Sequence, residues 1–186
     1  MGTKLNDIKS KDQIHWFVML AYKQEGIAEK VLSGEGGLEH YIAKHYIVQE
    51  IHGHKKRRLV PCIPSILFVH ASQAQIVAFK CKYNFLKFVT WRKSTGSEYL
   101  IVPDAQMEDF IRVSSSLEKS IRYHKPEELD IAKGTRVRVL GGLFDGVEGI
   151  FMKVHGRRSK QVVVIVADIM AVSVEVEPDF IEVLDD

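Results

Sequence analysis

The sequence predicts an α+β protein of two domains, an α/β sandwich followed by a small β-barrel. Three observations predict it. In the first half, apolar runs of strand length alternate with helical stripes; from Ser114 the composition turns to serine and charge; beyond Lys133 the apolar period becomes two, with glycines at the turns.

Trp16 to Tyr22 (WFVMLAY) is apolar at successive positions, as expected of a central strand buried on both faces. Ile27, Ala28, Val31 and Leu32 make one stripe of a short helix. Ser33-Gly34-Glu35-Gly36-Gly37 ends it, because several glycines together cost too much backbone entropy for a helix to continue. Tyr46 to Ile51 and Lys56 to Val60 predict two strands joined through Gly53, with the charged run His54-Lys55-Lys56-Arg57-Arg58 at the tip. After Pro61 and Pro64, Ile66-Leu67-Phe68-Val69 is another interior strand. Ser72 is placed to cap a helix through Phe79, and Phe85 to Trp91 returns as strand-like apolar sequence. Pro103-Asp104 then opens a helix with Met107, Phe110 and Ile111 facing inward. Together these elements predict a sandwich over residues 14–113, one sheet covered by helices.

Ser114 to Lys133 opens on Ser114-Ser115-Ser116 and carries Pro126, Glu127 and Glu128 and no long apolar period, which predicts a linker over 114–133. In 134–184, Val137 and Val139 alternate with Arg136 and Arg138, and Gly141-Gly142 and Asp145-Gly146 supply turns. Ile150 to Val154, Val162 to Val166 and Val172 to Val176 add three strands, enough for a small barrel.

Composition narrows the function. A length of 186 residues, 46% hydrophobic and 27% charged, is that of an ordinary globular protein with room for two small domains. The net charge of +2, from 26 basic and 24 acidic residues, is low for a free-standing nucleic-acid binder, so contact with DNA or RNA is expected to be local or assisted by a partner. Met1 to Lys11 lacks the apolar core of an export signal, and no apolar run approaches the ~20 residues of a membrane span. The expectation is a cytoplasmic monomer with no membrane contact. Cys62 and Cys81 have neither a pairing pattern nor metal spacing and are expected to be small buried side chains in a reducing compartment. There is no Gly-rich phosphate loop and no nucleophile elbow; Glu127-Glu128 and Asp185-Asp186 are adjacent surface acids. His52 and His54 lack a third ligand at suitable spacing. No enzymatic activity, cofactor or metal is expected.

The run from Lys133 to Gly149 (KGTRVRVLGGLFDGVEG) resembles a KOW motif: a strand enters a glycine turn, an aromatic plugs it, and a second glycine starts the return strand. Gly142 and Gly146 can take positive φ, and Phe144 is the large apolar group available to fill the turn. Trp16-Phe17-Val18 followed by a helix, Pro64-Ser65-Ile66-Leu67-Phe68-Val69, and Phe88-Val89 before Pro103-Asp104 are similar, in order and spacing, to the N-terminal domain of the NusG/RfaH family of transcription elongation factors. The resemblance runs from about His15 to Leu184. It implies an NGN α/β sandwich, with an antiparallel sheet flanked by helices, joined by a linker to an SH3-like KOW β-barrel. Glu50 to Arg58 with Pro61 and Pro64 is similar to the basic hairpin of specialised paralogues such as RfaH. His45-Tyr46 and Met107 to Val113 resemble the UpxY-like group, which promotes read-through of capsular polysaccharide operons.

The resemblance implies a factor that bridges the RNA polymerase cleft by docking an apolar patch on the β′ clamp helices. The matching positions are Trp16, Phe17, Ile63, Pro64, Ile66 and Phe68, of which some must face the core, since side chains alternate along a strand. The sequence departs from the family at Ile66, which replaces the usual tyrosine, and Ser65, which replaces glycine or asparagine, so a hydroxyl contact is missing. His54, Lys55, Lys56, Arg57 and Arg58 are candidates for meeting the non-template DNA strand through phosphate attraction, with Tyr22 and Lys23 adding a stacking ring and a charge. A solvated hairpin that blunts a sheet edge explains the same charges equally well. In the barrel, Phe144, Ile169 and Met170 match the surface by which family members contact Rho or the ribosomal protein NusE; capping of the barrel is the competing explanation. RfaH has a C-terminal domain that can turn helical, but the β-branched run Val162 to Val166 predicts strand here. Two alternatives remain at this stage: a general NusG-type factor coupling polymerase to Rho or the ribosome, and a KOW module binding RNA or ribosomes, which leaves the Trp16-Phe17 strand unexplained.

Overall fold

The computed structural model describes residues 11–93, 96–116 and 121–184. The chain divides into two compact units between Asp104 and Ala105. The first unit is built on one antiparallel sheet. Its central strand β1 (Ile14–Leu20) pairs along its whole length with β5 (Ile66–Ser72), Val18 opposite Phe68 and Trp16 opposite His70. Strand β2 (Glu39–Tyr41) adds to the outer edge of β5; β6 (Lys87–Phe88) and β9 (Ile101–Val102) both pair with β1 on its other side.

This register sorts the apolar residues onto two faces. Phe17 and Met19 share one face with Leu67, Val69 and Ala71, and that face is buried with Ala28 and Leu32 at helix α1 (Glu25–Val31), Ile76 of helix α2 (Gln73–Lys82) and Leu86. Burial of each large side chain contributes ~1.5–3 kcal/mol, which makes this the cohesive layer of the unit. Trp16, Val18, Ile66 and Phe68 take the opposite face. Ser72 begins α2 as expected. Its hydroxyl accepts from Gln75 N–H at 3.2 Å while the Gln75 side chain accepts from Ser72 N–H at 2.9 Å, a reciprocal pair that occupies two otherwise orphaned donors.

Several expectations are corrected. Ile27 is exposed at 54%, so only Ala28 and Leu32 of the predicted stripe are buried. The glycine run does not stop the first helix at once: Leu32–Gly36 continues it as a wider π turn, and Gly37 at φ 55 closes it. Phe85 to Trp91 is not one strand but β6 followed by β7 (Thr90–Lys93), which pairs with β8 (Gly96–Tyr99). Cys81 is exposed and Cys62 half-buried, its sulfur 3.3 Å from His45 Nδ1.

The second unit begins with helix α3 (Asp104–Ser115), which buries Met107, Phe110, Val113 and Ser114, while Ile111, expected inside, is half-buried. The polar face of α3 is bound to the sheet that follows. The Asp109 carboxylate accepts from Glu148 N–H at 3.2 Å, Gln106 Oε1 accepts from Ala167 N–H at 3.4 Å, and the Arg112 guanidinium donates to the Asp145 carbonyl. The division by contact therefore assigns α3 to this unit, whereas the sequence division at 113 assigns it to the sandwich. The segment 114–133 also contributes structure: β10 (Arg122–His124) pairs with β14 (Met170–Val174), and short 3₁₀ turns follow at Pro126–Glu128 and Ile131–Lys133. The remaining strands are β11 (Thr135–Val139), β12 (Glu148–Lys153), β13 (Lys160–Val166) and β15 (Ile181–Val183), in the order β10-β14-β13-β12-β11-β15. Val137, Val139, Val162 to Val164 and Val166 fill the interior with Met152, Met170 and Ala171, whereas Val183 of β15 is exposed. The Val162 to Val166 run is strand throughout.

Candidate functional site

The β1–β5 register decides among the apolar candidates of the first unit. Trp16, Ile66 and Phe68 lie on one sheet face, with the Trp16 ring stacked on His70 at 4.7 Å between centroids. All three are buried, at 5, 9 and 0% exposure. Phe17 points the other way, into the helix-covered core, so it packs the fold rather than presenting a surface. Ile63 is half-buried and Pro64 exposed at the entry to β5.

The basic candidates are placed differently from the expectation. The tip of the hairpin is the two-residue turn His52-Gly53, both at positive φ (52 and 76), the combination that matches the twist of paired strands. The charged run is not at that tip: His54 to Arg58 lies inside strand β4 (His54–Pro61), paired with β3 (Lys44–Ile51) in a separate two-stranded sheet. Period-two alternation therefore sends Lys55 and Arg57 to one face of the ribbon and His54, Lys56 and Arg58 to the other. Tyr46 stands exposed on the Lys55/Arg57 face together with Val48 and Leu59, which carry no sequence signal of their own, and the Arg57 guanidinium lies 4.1 Å from the Tyr46 ring centroid.

Tyr22 and Lys23 sit at the end of β1 in an unusual backbone arrangement. Tyr22 (φ 44), Lys23 (φ 65) and Ser65 (φ 71) are all in the left-handed region, which costs a residue with a β-carbon ~1–2 kcal/mol. Hydrogen bonds hold them there: Lys23 N–H donates to Ser65 Oγ at 2.8 Å, Ala21 N–H to the Ser65 carbonyl at 2.8 Å, and Ser65 N–H to the Glu25 carboxylate. The positive φ at Ser65 gives the physical reason why glycine or asparagine suits this position. Tyr22 is half exposed, and Lys87 Nζ lies 4.9 Å from its ring centroid. Lys87 carries no sequence signal of its own; only strand pairing brings it to Tyr22.

In the second unit, Phe144 and Ile169 are half-buried and Met170 is barrel interior at 2% exposure, so Met170 cannot present a surface in this conformation. Leu143 and Phe180, which the sequence did not single out, are exposed and line a groove of 280 Å³ with Phe144. Two groups here have displaced titration. Burial pushes the Asp109 carboxyl up, against the lowering effects of the Glu148 N–H and Arg112. Burial pushes the His124 imidazole down; its Nε2 lies 2.8 Å from Ser173 Oγ. Among the described residues no helix is long and apolar enough to cross a membrane.

No protein-family model matches the chain, and no curated protein matches it. Among solved structures, the chain is similar to NusG of Thermotoga maritima, from a study of domain interaction in that protein, with a TM-score of 0.41 and 17% identity over 93% of this chain and 98% of that one.

Proposed function

We propose that the chain is a transcription elongation and antitermination factor of the NusG/RfaH type, which binds RNA polymerase across the cleft through the β′ clamp helices. It suppresses pausing and promotes read-through of long operons, those for surface polysaccharides in particular. It performs no chemistry of its own and acts in the cytoplasm.

The observation that supports this proposal is the accessible entry to β5, where Ile63 is half-buried and Pro64 exposed; Trp16, Ile66 and Phe68 share a sheet face but are themselves buried, as is Phe17 on the other face. A docking surface needs a few large anchors that lose water together, each worth ~2 kcal/mol or more when central. Ile63 and Pro64 lie in the turn that leads into β5. The basic ribbon and the Tyr22-Lys23 corner supply positive charge and a stacking ring for the non-template strand of the bubble.

A second reading, a general factor that couples polymerase to Rho or to NusE on the ribosome, draws support from the exposed Leu143 beside Phe144 at the groove of the barrel.

The test is capture of purified RNA polymerase by the full chain and by residues 14–113, each with an Ile63→Asp partner variant whose fold is checked by circular dichroism. Capture by the parent proteins and its loss in the folded variants is the expected result. Failure of both parent proteins to capture polymerase at micromolar concentration defeats the proposal. Termination assays with and without Rho then separate the two readings.

A further inference from the structure

We propose that Cys62 and His45 form a reactive thiol–imidazole pair, a modification site at which the chain exchanges with a small disulfide and carries the resulting mixed disulfide. Such a site is independent of polymerase docking and of nucleic-acid contact.

The ribbon builds the pair. Lys44 faces Pro61 and His45 faces Val60 in the β3–β4 register. The ladder runs one step beyond the strands, with Cys62 N–H donating to the Ala43 carbonyl at 2.8 Å. Cys62 is therefore the diagonal neighbour of His45 on the same face, at a spacing that side chains can bridge. Its sulfur lies 3.3 Å from His45 Nδ1. The two residues are 17 apart in the chain, and backbone pairing on both sides of the contact holds them together.

Three features make this thiol a nucleophile as well as a side chain that fills space. A neutral imidazole that accepts the thiol proton leaves a thiolate beside an imidazolium, and the thiolate is the form that attacks. The surrounding charge has the same sense. His54, Lys56 and Arg58 share the His45 face of the ribbon, whereas Glu50, the single acid between Lys44 and Pro61, is on the other. An electropositive face favours the thiolate over the thiol. Finally, Cys62 is half-buried, which leaves its sulfur within reach of a small reagent. In the exchange the Cys62 proton passes to His45 Nδ1 and the sulfur attacks one sulfur of the disulfide. A new S–S bond to Cys62 forms as the reagent's own S–S bond breaks, and the departing thiolate takes the proton back from His45. Cys62 is oxidised and one half of the reagent is reduced, with no further reactant.

The test treats the full chain with glutathione disulfide at pH 7 and follows, by mass, the peptides that hold Cys62 and Cys81. Cys81 is a demanding reference within the same molecule. It is exposed and lies between Lys80 and Lys82, so access and charge both favour it. Cys62 is nonetheless expected to react about fivefold faster. A thiol helped by a base can gain up to ~thirtyfold in thiolate over an isolated one at pH 7, and the weaker nucleophilicity of a stabilised thiolate takes back several-fold of that. Reaction of Cys62 at or below the rate of Cys81 overturns the proposal. His45→Gln is expected to slow Cys62 about fivefold at pH 7 and to leave Cys81 unchanged. At pH 10, where thiols ionise unaided, Cys62 of the variant is expected to react within about twofold of the parent's. A deficit of the same size at pH 10 makes His45 a packing residue and overturns the pair, as does the lack of any deficit at pH 7. Circular dichroism checks the fold of the variant, and if it is lost the comparison of the two cysteines in the parent chain still decides.

Discussion

Replacing Gly149 by alanine will destabilise the second unit far more than the same change at a neighbouring glycine. Gly149 lies in β12 opposite Val137, with β13 passing behind it. A β-carbon there would sit 2.7 Å from the Val163 carbonyl oxygen, 2.9 Å from Val162 Cγ1 and 3.2 Å from the Val163 carbonyl carbon. Ordinary contact begins near 3.4 Å, so the two strands would have to part by most of an ångström. The nearest obstacle is backbone, which cannot rotate out of the way as a side chain end can. Overpacking of this kind costs about 3 kcal/mol. Loss of glycine's freedom in the unfolded chain returns about 0.5 kcal/mol, for a net loss of about 2.5 kcal/mol. In a unit of roughly 80 residues that lowers the melting temperature by about 15 °C. Gly142→Ala is the control: nothing lies within 4 Å, and only its φ of +72 resists the methyl group, at about 1 kcal/mol. Trp16 and Trp91 both lie in the first unit, so the assay must be local. Hydrogen exchange read by peptide mass spectrometry over 135–153 and 160–174, across a temperature series, supplies it. Loss of protection in Gly149→Ala equal to or smaller than in Gly142→Ala would refute the steric account.

Three further outcomes are expected. Ala167 and Asp168 hold positive φ (49 and 54) in the β13–β14 turn without being glycine or asparagine; Ala167→Asn with Asp168→Gly should stabilise the unit by about 1 kcal/mol, and an unchanged or lower melting temperature would count against that strain. Asp109 has its carboxyl pushed up by burial, so the stability linked to it is complete below the ordinary carboxylate value and lost as pH rises through the raised one. Asp109→Asn, which keeps an acceptor for Glu148 N–H, should therefore melt higher than the parent at pH 7, with the difference gone at pH 3; a constant difference would sink the idea. For His124, pushed down by burial, stability is present above the ordinary histidine value and lost as pH falls through the lowered one. Acidification should loosen β10 in the parent more than in His124→Gln, measured by exchange of the Arg122–His124 amides; parallel behaviour of the two proteins rejects it.

What the sequence revealed depended on how local the cause was. Strands β1 and β5 were legible because a run apolar on both faces has few other places to go, and the start of α2 was legible because a capping box is a four-residue event. The outward turn of Ile27 and the half-burial of Ile111 were not, since each depends on which neighbour covers the helix. Strand β10 looks like linker in the sequence because its partner β14 comes nearly fifty residues later. At the candidate sites the residue types were visible but the faces were not. Trp16 and Phe17 are adjacent large aromatics, and only pairing with β5 shows which enters the core. Charge and glycine standing together point to a tip; that five charged or titratable residues themselves form a strand follows from His54 to Arg58 all being exposed to solvent.

The valine-rich strand β13 also bears on how the molecule fails. Five successive β-branched residues with no proline and no charge, Val162 to Val166, are the kind of segment that self-associates into stacked fibrillar sheets. In the native order β13 is flanked by β12 on one side and β14 on the other, while the outer positions fall to the three-residue strands β10 and β15. The stickiest segment is thus shielded along both edges, and the exposed edges are too short to template much growth. Whatever peels β12 or β14 away uncovers it, so the barrel's loss of structure will pass into aggregation, and shelf life will be governed by local opening at β13.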